Sequence, residues 1–164
     1  MEKSKMAESP AAKVAETPTA GRAPRPVRVP VSVLHSLKRA AESGYPHESC
    51  GLLVGEAGAE GVRVVRMREA RNLAVDRLRD RYTLAPADFL AADAEARAEG
   101  LDIVGIWHSH PDHPSRPSAT DRDAAWQEYT YLIISVRRGA AEDVMAWALD
   151  GGTFVEQPIE EIAS

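Results

Sequence analysis

Cysteine is almost absent: Cys50 is the one thiol among 164 residues. A single thiol forms no internal disulfide, which excludes a disulfide-stapled secreted scaffold. It equally excludes any zinc site built from several thiolates. Long apolar runs are missing as well. No stretch approaches the ~20 apolar residues that a spanning helix needs, so no membrane partner is expected. Positive charge is not in excess either, and a net charge of −5 argues against nucleic acid as the main partner. The first 26 residues contain no Leu, Ile, Phe, Trp or Tyr and are rich in Ala, Pro, Ser and Thr. Such a segment buries too little apolar surface to offset its ordering entropy, so residues 1–26 are read as a disordered tail.

That tail is basic. Residues 1–28 hold six basic and three acidic side chains, which leaves the rest of the chain at −8. No continuous apolar stretch follows the early lysines, which excludes a secretory signal, and the glutamates speak against a transit peptide. The expected location is cytoplasmic. What remains, residues 27–157, is long enough for one domain, followed by a short C-terminal tail over 158–164.

Within that span a strand starts at Arg28–Val29. Pro30 opens a helix to about Ser43, with Leu34, Leu37 and Ala41 on one face and Gly44 as the stop. Cys50–Val54 reads as a buried strand, Gly61–Met67 as a β-branched one, and Arg81–Leu84 as a weaker one. Pro86–Glu99 is a helix, alanine-rich and closed by Gly100. Asp102–His108 is a strand, and Thr120 to about Glu128 a helix. Tyr131–Val136, Val144–Leu149 and Thr153–Val155 are strands. Helices interleaved with strands imply an α/β arrangement with helices packed on a sheet.

The chemistry concentrates in residues 107–121, Trp-His-Ser-His-Pro-Asp-His-Pro-Ser-Arg-Pro-Ser-Ala-Thr-Asp. His108 and His110 stand two apart at the end of a strand, so both imidazoles point to one face and can chelate one ion. Pro111, Pro114 and Pro117 stiffen the loop that follows. Asp121, at the start of the next helix, supplies a carboxylate as third ligand and leaves a fourth tetrahedral position open, the layout of a catalytic metal site. Taken singly, each residue has a plainer reading. Asp121 complements a helix dipole, and Ser118 or Thr120 caps the helix. Trp107 is core, and Asp112 and His113 face solvent in the loop. His35 and His47 are surface residues, and Cys50 is an inert buried thiol.

Taken together, the spacing resembles the motif of JAMM (MPN+) metallopeptidases: H-x-H, seven residues, S, two residues, D, with a glutamate far upstream. His108-Ser-His110, then Ser118 and Asp121, fill it, and Tyr45-Pro-His-Glu48-Ser-Cys-Gly-Leu-Leu-Val-Gly55 resembles the segment around the upstream glutamate in the bacterial branch. The resemblance implies a three-layer α-β-α fold with a mixed central sheet, of the JAB/MPN kind and similar to cytidine deaminases. It implies one Zn²⁺ held by His108, His110 and Asp121, with Glu48 as general base and Ser118 stabilising the oxyanion. It further implies cleavage after the C-terminal Gly-Gly of a ubiquitin-like or sulfur-carrier protein, for example releasing cysteine. Only seven residues separate Asp121 from Tyr129, so the second ubiquitin-contacting insertion of eukaryotic members is missing and the chain resembles the minimal bacterial form. An extended tail alongside a strand edge is the expected binding mode, with residues 76–84 in the groove.

Three other functions compete. A non-catalytic scaffold of the same fold is disfavoured because every motif position is filled. A nucleobase deaminase needs H-x-E and C-x-x-C, which one cysteine cannot supply. A cysteine peptidase using Cys50 needs an exposed, low-pKa thiol, and an apolar strand is the wrong setting. Oligomeric state is not legible in the sequence.

Overall fold

Alternation along one strand decides how this chain layers. The computed structural model describes residues 24–164, running β1 (Val27–Pro30), α1 (Val31–Gly44), β2 (Cys50–Gly58), β3 (Gly61–Ala70), α2 (Pro86–Ala98), β4 (Asp102–Pro111), α3 (Ala119–Ala124), β5 (Thr130–Arg137), β6 (Ala140–Asp150), β7 (Thr153–Gln157) and β8 (Ile159–Ile162). On β5, Leu132, Ile134 and Val136 join a core with Leu34, Leu37 and Ala41 of α1. Tyr131 and Ile133, between them, join a second core with Ala92 and Ala96 of α2. Successive strand residues face opposite ways, so α1 and α2 lie on opposite faces of one sheet.

That sheet has eight strands in the order β7-β6-β5-β4-β2-β3-β1-β8. It is mixed, as expected: β1 runs parallel to β3 and β8, and β4 parallel to β5, while the other pairs are antiparallel. β7 and β8 sit at the two ends of this order, yet only Pro158 separates them in the chain. The sheet therefore curls until one segment serves both edges. The Val27 N–H donates to the Pro158 carbonyl (2.8 Å), and Gln157 bridges from Thr130 (3.0 Å) to the Arg25 carbonyl (3.1 Å). Proline has no N–H for a ladder, which suits it to the point where the strand changes partner. α1 touches β1, β3, β5 and β6, from both halves of the curl, whereas α2 covers β2, β3 and β4.

Several boundaries differ from the sequence reading. β4 runs on to Pro111, so both histidines lie inside a paired strand. α3 stops at Ala124, because Ala125 is extended (ψ 151°) and the Trp126 N–H donates to the Tyr131 hydroxyl (2.7 Å). Residues 81–84 make only an isolated bridge, Asn72 to Leu84. The C-terminal tail expected over 158–164 is corrected: Ile159–Ile162 forms β8 against β1. Ile-Glu-Glu-Ile has no period-2 pattern, so only the exposed edge of β1 reveals it. The expected tail at 1–26 lies largely outside the described residues. Of its last three, Arg25 donates to Gly58 and Pro26 accepts from Val62. Among the described residues no helix is long and apolar enough to cross a membrane.

Gly51 is required by a close approach. The Trp107 indole reaches from β4 across β2 to donate to the Arg68 carbonyl on β3 (3.0 Å), and it passes over Gly51. A Cβ there would collide with both the indole and that carbonyl, whereas a Cβ at Gly58 meets nothing within 4 Å. Gly51→Ala is therefore expected to lower stability by about 3 kcal/mol and Gly58→Ala by less than about 0.5 kcal/mol, as measured by urea unfolding.

Candidate metal centre

β4 is paired on both sides, so its side chains are held in register. His108 stands opposite Cys50 of β2 and Ile133 of β5, which puts it on the α2 face with His110 two residues on. Both are buried, and their Nε2 atoms lie 3.2 Å apart. His110 Nδ1 is 2.8 Å from the Pro114 carbonyl oxygen. A carbonyl can only accept, so Nδ1 carries a proton and donates to it, and Nε2 faces inward. The His108 ring stacks on Tyr82, with centroids 4.7 Å apart.

Asp121 arrives from α3. Ser118 caps that helix: its hydroxyl accepts from the Asp121 N–H (3.0 Å), and Asp121 Oδ2 accepts from the Ser118 N–H (2.8 Å). This reciprocal box aims the carboxylate at the histidines. Oδ1 is 3.3 Å from His108 Nε2 and Oδ2 is 3.1 Å from His110 Nε2.

Glu48 comes from the turn that leads into β2. Its N–H donates to the Leu78 carbonyl (2.6 Å), and its carbonyl accepts from the Asn72 side chain (3.1 Å). The Asn72 amide also donates to the Arg81 carbonyl and accepts from the Ala74 and Thr83 N–H groups. One side chain thus knits residues 72–83 to the Glu48 turn. The Glu48 carboxylate is buried, with Oε1 3.9 Å from His110 Nε2. Among the described residues its Oε2 has no hydrogen-bond partner.

Glu48, His108, His110 and Asp121 therefore each offer an atom within 4.8 Å of the others'. Ligands of one zinc ion lie about 3.3 Å apart; the two Nε2 atoms are 3.2 Å apart, with one Asp121 oxygen 3.3 Å from His108 and the other 3.1 Å from His110. Charge points the same way. Burial, then Asp121 and Asp80, push the Glu48 carboxyl up to about 9. Burial also raises the Asp121 carboxyl, but the His108 and His110 contacts and the Ser118 N–H outweigh it and hold it well below the usual range. Burial pushes the His108 imidazole down, toward neutral, against the pull of Asp121. Among the described residues no Lys or Arg pairs with Glu48 or Asp121. Lone pairs converge on a volume short of positive charge, and a divalent cation fits it.

Three residues here escaped sequence reasoning. Tyr82 lay in the stretch read as groove, without a role of its own. Asn72 carried no signal, because its four bonds exist only once two loops meet. Asp112, read as solvent-facing, is corrected: it accepts from the Tyr45 hydroxyl (2.7 Å), Arg79 (3.1 Å) and the Arg138 N–H (2.8 Å). His35, His47 and His113 are exposed, as read.

A family model described as prokaryotic homologs of the JAB domain matches residues 30–150. The chain is 36% identical over 105 residues to a desampylase of Haloferax volcanii, an alignment covering 63% of this chain and 73% of that one. It is 33% identical over 104 residues to a desampylase of Pyrococcus furiosus, covering 62% and 66%. A solution structure of a Desulfitobacterium hafniense protein superposes with a TM-score of 0.75 at 26% identity, covering 84% of this chain and 94% of that one.

Cys50 stands beside the cluster but outside its chemistry. It is 2% exposed, and burial first, then Glu48 and Asp88, push its thiol up to about 12. A raised thiol pKa means little reactive thiolate at pH 8. Native protein at pH 8 is expected to resist iodoacetamide and to label fully in denaturant, with mass spectrometry as the readout. Rapid native labelling would contradict the burial.

Proposed function

The chain belongs to the prokaryotic JAB-domain family and is a hydrolase of the JAMM type; from that premise we propose that it is a zinc-dependent peptidase. Its substrate is a ubiquitin-like or sulfur-carrier protein, cut at the peptide or isopeptide bond after a C-terminal Gly-Gly. The observation that carries this reading is the convergence of two imidazole nitrogens and a carboxylate, each within ligand-to-ligand distance of the next, beside the buried Glu48. A donor set of two His and one carboxylate, with room for a fourth ligand, is that of catalytic zinc. The ion would supply Lewis acidity, acidifying a water and polarising the scissile carbonyl.

The remaining steps fall to the chain's own groups. His108, His110 and Asp121 would hold the ion. Burial and Asp121 raise the Glu48 carboxyl in the absence of an ion, and a neighbouring cation would favour its ionised form. In that form Glu48 takes the proton of the attacking water and returns it to the leaving amine, with Oε2 unpartnered among the described residues. The Ser118 hydroxyl accepts from the helix backbone, which leaves its own proton to donate to the charge developing on the carbonyl oxygen.

The substrate reading draws support from residues 71–85. Leu73 and Ala85 donate across to the Thr83 and Arg71 carbonyls (2.7 and 3.0 Å), which uses one edge of that stretch. The peptide groups of Tyr82 and Leu84 lie on the other edge, where an extended tail can pair. The Tyr82 ring, flat against His108, makes a wall that suits glycine better than a larger residue.

One Zn²⁺ per chain is the expected stoichiometry by elemental analysis, with hydrolysis lost on chelation and the ion lost in His108→Ala. Glu48→Gln is expected to keep the ion and lower kcat by roughly 10²–10⁴-fold; wild-type turnover in that variant would sink the general-base role. Ubiquitin-like proteins carrying adducts after Gly-Gly, followed by mass spectrometry, identify the bond. Zinc binding with no cleavage of any such adduct would overturn the substrate class.

A further inference from the structure

The loop between His110 and Ser118 has little backbone bonding of its own, and Pro114 has no N–H to give. It is held instead by side chains from three neighbouring strands. Ser135 of β5 donates to the His113 carbonyl (2.6 Å), His110 of β4 to the Pro114 carbonyl (2.8 Å), and Trp147 of β6 to the Ser115 carbonyl (2.9 Å). Three successive carbonyls are each taken by a different strand. The Ser115 hydroxyl adds a bond to Asp143 of β6.

Sheet register explains how this grip arises. His110 stands opposite Ser135 on β5, and Ser135 stands opposite Asp143 on β6. Residues directly opposite in paired strands share a face, so His110, Ser135 and Asp143 form one polar row across three strands. Trp147 projects from the same face four residues along β6. Two members of the row and the indole serve only the loop; the third, His110, spends one nitrogen on it and turns the other inward.

We propose that Ser135, Asp143 and Trp147 are positioning residues for His110. By pinning the peptide groups on either side of the Pro114 carbonyl, they hold that oxygen where it accepts from His110 Nδ1 and keeps Nε2 aimed inward. None of the three touches the converging ligand atoms. They act through the orientation of one imidazole, the kind of outer contact whose loss weakens metal binding by roughly 10–100-fold. The metal part of this inference rests on the zinc reading above; the orientation of His110 does not.

The test uses the full chain in four variants: Ser135→Ala, Trp147→Phe, Asp143→Ala and Asp143→Asn. Asp143 is exposed, so its variants are expected to fold even where the buried Ser135 and Trp147 positions do not tolerate change. Nitrogen NMR of metal-free protein is expected to show a single hydrogen-bonded Nδ1–H signal of His110 in the wild type. In Ser135→Ala, Trp147→Phe and Asp143→Ala that bond should weaken and the signal broaden or split. Asp143→Asn, which still accepts from Ser115, should restore the single signal. Zn²⁺ affinity, read by competition with a chromophoric chelator, is expected to fall roughly 10-fold or more in the first three and to recover in the last. Leu37→Ala, a core truncation on the opposite face, should lose stability with unchanged zinc affinity, which separates positioning from general loosening. Wild-type His110 signals in the folded variants overturn the proposal, as does unchanged affinity where the wild type binds zinc. A wild type that takes up no zinc removes the metal reading and leaves the NMR result to decide the positioning.

Discussion

β4 is clamped between an antiparallel neighbour, β2, and a parallel one, β5, and the candidate centre hangs from that double pairing. Side chains alternate along a strand, so a slip of one residue would carry both histidines to the opposite face. There they would meet the α1 core instead of Asp121, Tyr82 and the loop carbonyl. Each partner strand resists the slip. Gly51 admits the Trp107 indole only in this register. Ser109, between the histidines, bonds the Ser49 N–H (2.8 Å) and so ties the strand to the turn that carries Glu48. The two segments that bear the chemistry are in this way fixed to each other by the residue the motif leaves unspecified.

Electrostatics make this arrangement costly unless an ion is present. Two carboxylates and two imidazoles are withdrawn from water in one small volume, and burying such groups without compensation is strongly unfavourable. The fold tolerates them through directed contacts: the capping box on Asp121, the backbone tethers on Glu48 and the loop carbonyl on His110. These hold orientation, not charge balance. The structure is thus organised around a cation-shaped deficit, and family membership and the donor set point to the same chemistry by separate routes.

Much of this was legible in the residues. The helix over 86–98 announced itself by a proline at its start and a glycine after it, and the strands by apolar runs. The spacing of His108, His110 and Asp121 foretold that these side chains converge, because strand and helix periodicities bring those positions to one end of the sheet. Other features were out of reach for a physical reason: they consist of contacts between segments that carry no mark of each other. β8 is a strand only because β1 offers it an edge, and Asp112 looked like any loop carboxylate until Tyr45, Arg79 and Arg138 closed on it. Ser118 shows the reverse, since its plain reading as a helix cap is met while its chemical role stands as a proposal.

The amino-acid sequence by itself determined which ligand types the centre can offer. A single cysteine rules out a site of several thiolates, and the H-x-H pair with a downstream Asp supplies nitrogen and oxygen donors at a local spacing that secondary structure converts into a shared direction. Only the tertiary structure decided how those donors are used. It settled which nitrogen of His110 faces inward, how near the distant Glu48 comes, that Cys50 is sealed from solvent, and that three strands grip one loop. Hydrogen bonds and burial between remote segments set these properties, and such contacts have no counterpart in local spacing.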